Sequence, residues 1–338
     1  MLSPRFKNDG KPIYKLNEIQ LQAKADVERK IENGQYEFEE INCAACKSNE
    51  YELLAEKDRY GLKYYTVICK NCGLVYVSPR MTEKAYAEFY NAEYRKLYVG
   101  ENVASEKFFA DQVFRGKRIF QFINTNYEIK NKKLDVLEVG CGAGGILSVF
   151  KENGHNITGI DLGEEYLNFG KEKYNLNLFK SNLNDMDKNY KADIIIYSHV
   201  FEHILDLDKE LDAIKSHLKP EGILYIEVPG IKYVHNTYEM NFLKYLQNAH
   251  VYHFSLNSLT RILHNNNFEL IYGDEQIRAI FKLNKNLQDK IFENEYSTIL
   301  NYLHKTEKMR FLNVFRFKKL KWQIKKIFLN YLLNKLYL

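Results

Sequence analysis

The stretch Leu134-Asp135-Val136-Leu137-Glu138-Val139-Gly140-Cys141-Gly142-Ala143-Gly144-Gly145 constrains the fold of this 338-residue chain more than any other. The residues up to Val139 form an apolar run that reads as a buried strand. A glycine-dense turn follows, and a helix starts over Ile146 to Lys151. Glycines permit a tight turn and let backbone N–H groups approach a ligand closely. Strand, glycine loop and helix N-terminus together make a nucleotide-sized pocket.

The surrounding residues, 131–283, alternate short apolar runs with helix-like segments, the pattern of a parallel α/β sheet. Strands are expected at Leu134–Val139, Asn156–Asp161, Leu176–Phe179, Asp193–Ser198 and Ile223–Val228. Two more, Phe268–Tyr272 and Arg278–Leu283, have no long helix between them and read as a closing antiparallel hairpin. Helices are expected at Leu205–Leu218 and Ser255–Asn266. Residues 1–41 are polar and read as a partly ordered arm with a helix from Lys15 to Asn33. Residues 42–80 hold four of the five cysteines, residues 81–130 read as a helical connector or lid, and residues 284–338 read as a helical tail.

A composition of 45% apolar and 28% charged residues suits a folded protein of about two domains. Five cysteines in a chain this long do not make a disulfide scaffold. The first residues carry no apolar core of signal-peptide length, and no stretch is long and apolar enough to span a bilayer, so a cytoplasmic protein is expected. The net charge of +5 is unevenly placed. From Lys305 to Leu338 there are ten basic residues against Glu307 alone, a charge of +9, so the preceding residues carry −4.

Cys43-Ala-Ala-Cys46 and Cys69-Lys-Asn-Cys72 are two C-x-x-C knuckles separated by 22 residues. A thiolate pair at this spacing holds two corners of a tetrahedron, and two pairs complete it. The pattern points to structural zinc, with four protein ligands and no open position for catalysis. The alternative is four buried thiols in a reducing compartment. Cys141, inside the glycine loop, reads as a small packing residue rather than a nucleophile.

Gly140, Gly142 and Gly145 satisfy G-x-G-x-x-G, and Asp161 ends the next strand 21 residues after Gly140. That spacing also fits a dinucleotide fingerprint. Three features distinguish the two. Glu138 extends the loop to Glu-x-Gly-x-Gly-x-Gly through Gly144. The strand Asp193–Ser198 runs into His199-Val-Phe-Glu202-His203. Leu218-Lys-Pro-Glu-Gly222 precedes a strand that ends at Pro229. Together these resemble the class I S-adenosylmethionine-dependent methyltransferases over Leu134 to about Leu283.

The resemblance implies a Rossmann-like α/β sheet of seven strands, one antiparallel, with a small N-terminal zinc-binding domain and a helical C-terminal extension. It implies that Glu138 and the Gly140, Cys141, Gly142, Gly144 loop hold the methionine end of S-adenosylmethionine. Asp161 would hold the ribose, Asn182 and Leu183 would contact the adenine, and Leu162 and Ser198 are further cofactor-binding candidates. The family more often carries Asp at the Asn182 position and glycine where Glu221 stands.

The stretch Cys69 to Pro79, with Tyr86 to Tyr94, resembles the zinc-knuckle segment of bacterial enzymes of deoxysugar, capsule and lipopolysaccharide biosynthesis. Ala249-His250-Val-Tyr-His253-Phe-Ser-Leu256 supports the same subgroup. A branch that methylates carbon in nucleotide-linked ketosugars carries Tyr-x-Glu-His there; this chain has Gln247-Asn248-Ala249-His250, which argues against that branch. The leading expectation is O-methyl transfer to a glycan or nucleotide-linked sugar. Alternatives are C- or N-methyl transfer to a related sugar, transfer to RNA, and a non-catalytic S-adenosylmethionine-binding scaffold. A sugar hydroxyl needs a base, and neutral histidine suits that role. His250 is the first candidate and His199 the second. Glu202 and His203 would hold a metal, order the acceptor or merely start a helix. Tyr90, Tyr94 and Tyr98 either pack or cover the acceptor.

In the tail, Phe317, Leu320, Ile324, Ile327 and Tyr331 recur at helical spacing among lysines. Such a basic amphipathic helix can lie on anionic membrane, which would make the protein peripheral to the inner membrane face, or dock on the body or a second subunit. RNA is the third reading, and no RNA-binding motif accompanies it.

Overall fold

The computed structural model describes residues 1–98, 105–127 and 133–310. Helix α1 (Glu18–Glu32) opens with a capping box between Asn17 and Gln20. Its Ala23 and Val27 enter the core, as do Leu2 and Phe6 before it. The N-terminal segment expected as a partly ordered arm is therefore packed on the body, with the expected helix in place. Phe6 meets Phe242 with ring centroids 6.0 Å apart, and this apolar burial outweighs the polar composition that suggested an arm.

Strands β1 (Tyr51–Lys57), β2 (Lys63–Cys69) and β3 (Val75–Val77) form an antiparallel meander that carries the cysteine knuckles. Helices α2 (Glu83–Ala92), α3 (Tyr94–Tyr98) and α4 (Glu106–Asn126) follow, as the sequence predicts for this region.

The central sheet is then laid down as β4 (Asp135–Val139), α5 (Gly145–Glu152), β5 (Asn156–Asp161), α6 (Glu164–Tyr174), β6 (Leu178–Lys180), β7 (Ala192–Ser198), α7 (Leu207–His217) and β8 (Leu218–Glu227). Strand β9 (Tyr252–His253) and helix α8 (Leu256–His264) precede β10 (Phe268–Gly273) and β11 (Arg278–Leu283). The seven strands lie in the order β10-β11-β8-β7-β4-β5-β6. Strands β4 to β8 are parallel, and β11 is antiparallel to both of its neighbours. The closing hairpin and the single antiparallel strand thus follow the expectation. The short third strand sits two residues later than expected, and β8 begins at Leu218 with an irregularity before Ile223.

Side-chain alternation splits this sheet into two buried faces. Val136, Ile194 and Ile196 pack with α4 and α5, while Leu137, Ile195 and Tyr197 pack with residues of the knuckle region, Cys43, Cys69 and Cys72 among them. Each fully buried aliphatic side chain contributes about 1.5–3 kcal/mol, so both faces are needed to hold a sheet of this size.

The knuckle sheet is completed from far downstream. Strand β9 adds to β3 with Tyr252 opposite Tyr76 and His253 opposite Val75. Of the tail expected to be helical over 284–338, residues 284–295 are irregular and α9 (Tyr296–Met309) is helical. Ile299 and Leu303 of α9 bury against Tyr64, Ile68 and Phe242. Arg5 forks onto Glu307 at 2.6 and 2.8 Å. The amphipathic stripe from Phe317 to Tyr331 lies outside the described residues. Among the described residues no helix is long and apolar enough to cross a membrane.

Candidate functional site

The glycine loop leaves the C-terminal edge of β4. Gly140 has φ +71°, and a Cβ there would stand 2.4 Å from Cγ2 of Val200. The N–H groups of Gly140 and Cys141 both donate to the Ile160 carbonyl, at 2.8 and 3.0 Å, which ties the loop to β5. Cys141 is fully buried, and burial pushes its thiol well above the usual range, so it packs rather than attacks.

Helix α4 closes one side of the loop. Gln112 accepts from the Gly145 N–H at 3.2 Å and donates to the Cys141 carbonyl at 2.9 Å. A Cβ on Gly145 would lie 2.7 Å from the Phe109 carbonyl. A dinucleotide needs that first-turn N–H for its pyrophosphate. Here it is capped by Gln112 and crowded by α4, which weighs against a dinucleotide. Gln112 belongs to no motif and was not singled out from the sequence.

Glu138 is 1% exposed, and its Oε2 has no hydrogen-bond partner. Burial pushes its carboxyl well above the usual carboxylate range. An orphaned acid beside the loop fits the cationic amino end of S-adenosylmethionine. Asp161, at the end of β5, accepts from Gly142 N–H at 2.8 Å and from Gly163 N–H at 2.6 Å. The Arg95 guanidinium stands 3.8 Å from its Oδ1 and the same distance from the Tyr166 ring centroid. Arg95 is a second residue that no sequence motif marked. Leu162 is 66% exposed, a bare apolar surface next to Asp161. Leu183 is buried, while the Asn182 side chain caps the turn after it by accepting from Asp185 N–H at 3.0 Å. Ser198 is buried at the end of β7 with its hydroxyl unpartnered.

The other end of the site gathers residues far apart in sequence. The Glu202 carboxylate is 1% exposed, and neither oxygen has a hydrogen-bond partner. Around its Oε1 lie His199 Nδ1 at 3.7 Å, His203 Nε2 at 3.9 Å and His250 Nε2 at 3.7 Å. His199 has φ +56°, a strained conformation for a non-glycine residue, and its N–H donates to Glu227 carbonyl at 2.8 Å. His250 is buried, and its Nε2 also meets the Gln247 side-chain amide. Burial pushes its imidazole well below the usual histidine range, so it stays neutral.

Tyr90, Tyr94 and Tyr98 of the connector all reach this cluster or the backbone beside it. Tyr90 Oη lies 2.8 Å from His203 Nδ1, the Tyr94 ring is 6.3 Å from the His203 ring, and Tyr98 Oη accepts from Ala249 N–H at 3.0 Å. They pack together and wall the site at once.

Cys43, Cys46, Cys69 and Cys72 converge so that their sulfurs lie within 4.8 Å of one another. The Cys43–Cys72 and Cys46–Cys69 sulfurs are 3.4 and 3.5 Å apart, too far for a disulfide. Sulfurs about 2.3 Å from a tetrahedral zinc would be about 3.8 Å apart. The quartet is compatible with a small zinc-binding segment.

Residues 110–272 match the family model of a methyltransferase domain. The ubiquinone biosynthesis O-methyltransferase of Rickettsia canadensis (strain McKiel) is 30% identical over 99 residues, covering 28% of this chain and 42% of that protein. The chain thus spans less than half the length of this curated relative. Among solved structures, the 1,6-didemethyltoxoflavin-N1-methyltransferase of Burkholderia thailandensis is 14% identical with a TM-score of 0.44, over 62% of this chain and 93% of that one. The amino pentose methyltransferase CalS10 of Micromonospora echinaspora is 13% identical with a TM-score of 0.40, over 54% and 99%. The segment that matches the methyltransferase-domain model, residues 110–272, holds most of the Rossmann-like sheet.

Proposed function

We propose that this chain transfers a methyl group from S-adenosylmethionine to a hydroxyl of a sugar, in a bacterial surface glycan or its nucleotide-linked precursor. The carrying observation is the pairing of β3 with β9. It joins, beside the histidine cluster, the two segments whose residues resemble sugar methyltransferases. The name of the Rickettsia relative supports oxygen as the acceptor atom. It also stands behind a second reading, a hydroxyl outside carbohydrate chemistry.

S-adenosylmethionine supplies an electrophilic methyl on a sulfonium. Glu138 and the glycine loop would hold its amino acid end, Asp161 its ribose hydroxyls, and Asn182 and Leu183 its adenine, with Leu162 and Ser198 as further contacts. The cluster of His199, Glu202, His203 and His250 holds the acceptor hydroxyl and takes its proton, with His250 or His199 as the base. In-line placement is the larger effect, up to roughly 7–11 kcal/mol against about 3–5 kcal/mol for a well-placed base. The tyrosine wall and the buried Glu202 therefore matter as much as the base itself. Structural zinc in the cysteine quartet would brace the β3–β9 pair. The basic tail would rest on anionic membrane near a glycan-assembly site.

Incubation with methyl-labelled S-adenosylmethionine and a panel of sugar nucleotides and glycan extracts tests the reading. Label on a sugar oxygen is the expected result. Label on RNA and on no sugar overturns it.

A further inference from the structure

Glu202 presents a problem that the surrounding protein does not solve. Its carboxylate is 1% exposed, both oxygens lack hydrogen-bond partners, and no lysine or arginine pairs with it among the described residues. A lone carboxylate taken out of water costs several kcal/mol unless a cation or a set of donors faces it. The imidazoles are not those donors. Their nitrogens stand 3.7 to 3.9 Å from Oε1, beyond the ~3.2 Å reach of an N–H···O bond. Around a tetrahedral ion with bonds of about 2.0–2.1 Å, neighbouring ligand atoms lie about 3.4 Å apart. The observed spacing is too long for direct contact and within a few tenths of an ångström of what a shared ion requires. One ligand atom from each of Glu202, His203 and His250 falls within 4.8 Å of the others.

We propose that Glu202, His203 and His250 bind a divalent first-row transition-metal ion, in a site separate from the cysteine quartet. Two imidazoles and one carboxylate suit zinc, iron or cobalt better than magnesium or calcium, which take oxygen ligands. The His203 ring is preset for the task. Its Nδ1–H donates to the Ala249 carbonyl at 2.8 Å, so the Nε2 lone pair is left for the ion. At His250 the ion displaces the Gln247 amide from Nε2. Three protein ligands leave a coordination position open, whereas the quartet leaves none. That position would take the acceptor hydroxyl, lowering its pKa, with His199 beside it as the base. Only this last assignment rests on the proposed function.

The test is the metal content of the full chain after equilibration with Co²⁺ and removal of free ion. The wild type is expected to hold two ions per chain: one with thiolate charge-transfer absorption and one with only weak ligand-field bands. Glu202→Gln and, independently, His203→Gln should each hold one ion, the thiolate-bound one, with affinity at the second site falling at least ~100-fold. A wild type that holds a single thiolate-bound ion overturns the proposal, as does Glu202→Gln retaining both. The wild-type titration needs no variant to fold. Two ions with no methyl on any sugar would refute the acceptor and leave the metal site standing. One ion with sugar methylation intact would do the reverse.

Discussion

Gly142 donates its backbone N–H to Oδ2 of Asp161 at 2.8 Å. The bond ties the glycine loop after β4 to the end of β5, so the two parts of the proposed donor site are linked before any ligand arrives. The same carboxylate accepts from Gly163 N–H at 2.6 Å and faces Arg95. Its charge is what the loop, the next helix and the connector share.

Asp161→Ala should weaken S-adenosylmethionine binding by roughly 10–100-fold, the cost of losing charge-assisted hydrogen bonds of about 1.5–3 kcal/mol. Calorimetric titration of the cofactor measures this. An unchanged Kd would mean that Asp161 organises the loop without touching the ribose.

Gly140→Ala tests the loop sterically. The new Cβ would sit 2.4 Å from Val200 Cγ2 at a backbone φ of +71°. Two costs add, a left-handed alanine and a clash, for a loss of about 1–3 kcal/mol in denaturant unfolding. Adding Val200→Ala should recover the clash part and leave the backbone part. Full recovery would show that the turn tolerates alanine.

The central sheet was legible because its strands are continuous runs of apolar and β-branched residues, such as Ile194 to Tyr197, separated by glycine, asparagine and lysine turns. The loop and the quartet were legible because each is local in sequence. What sequence could not supply was pairing at a distance. Nothing in Tyr252-His253 announces that it adds to β3, because two residues carry no periodicity. Gln112 and Arg95 lie on ordinary amphipathic helices, and only the packing of those helices brings them to the loop and to Asp161. The N-terminal segment looked loose because its few anchors, Phe6, Val27 and Tyr36, are scattered among charges. Glu202 and His203 could be paired from sequence, whereas their shared relation to His199 and His250 exists only in three dimensions.

Asp58 should give the stability a pH slope. It is fully buried, and its carboxylate accepts from the backbone N–H groups of Tyr60, Leu62 and Asn248 at 2.8 to 3.0 Å. Burial outweighs those bonds and pushes its pKa up to about 6 from an ordinary 3.8. Between these values the folded chain holds a proton that the unfolded chain has lost, so the Asp58 contribution to stability falls as pH rises through that window. The loss totals on the order of 3 kcal/mol above pH 6. Asp58→Asn removes that contribution. The difference in unfolding free energy between pH 4 and pH 6.5 should therefore shift in the variant's favour relative to wild type. Equal pH slopes in urea titrations would mean that folding leaves the Asp58 pKa unshifted.

Loss of the zinc proposed for the cysteine quartet should separate methyl transfer from cofactor binding. The quartet lies at the ends of the strands that hold β9, and β9 follows His250 by two residues. The His250 carbonyl also accepts from Tyr64 Oη on β2. Cys141 and Ala143 of the glycine loop and Ile146 of α5 bury in a different cluster, with α4 and the far face of the sheet. Cys72→Ser leaves three thiolates, and structural zinc sites contribute folding energy directly. The knuckle sheet should loosen, the apparent Tm should fall, and methyl transfer should drop at least ~100-fold as His250 leaves its place. S-adenosylmethionine Kd should change by less than ~3-fold. A parallel loss of cofactor affinity would show that the two hydrophobic clusters unfold as one unit, and that the quartet supports the donor site as well as the acceptor site.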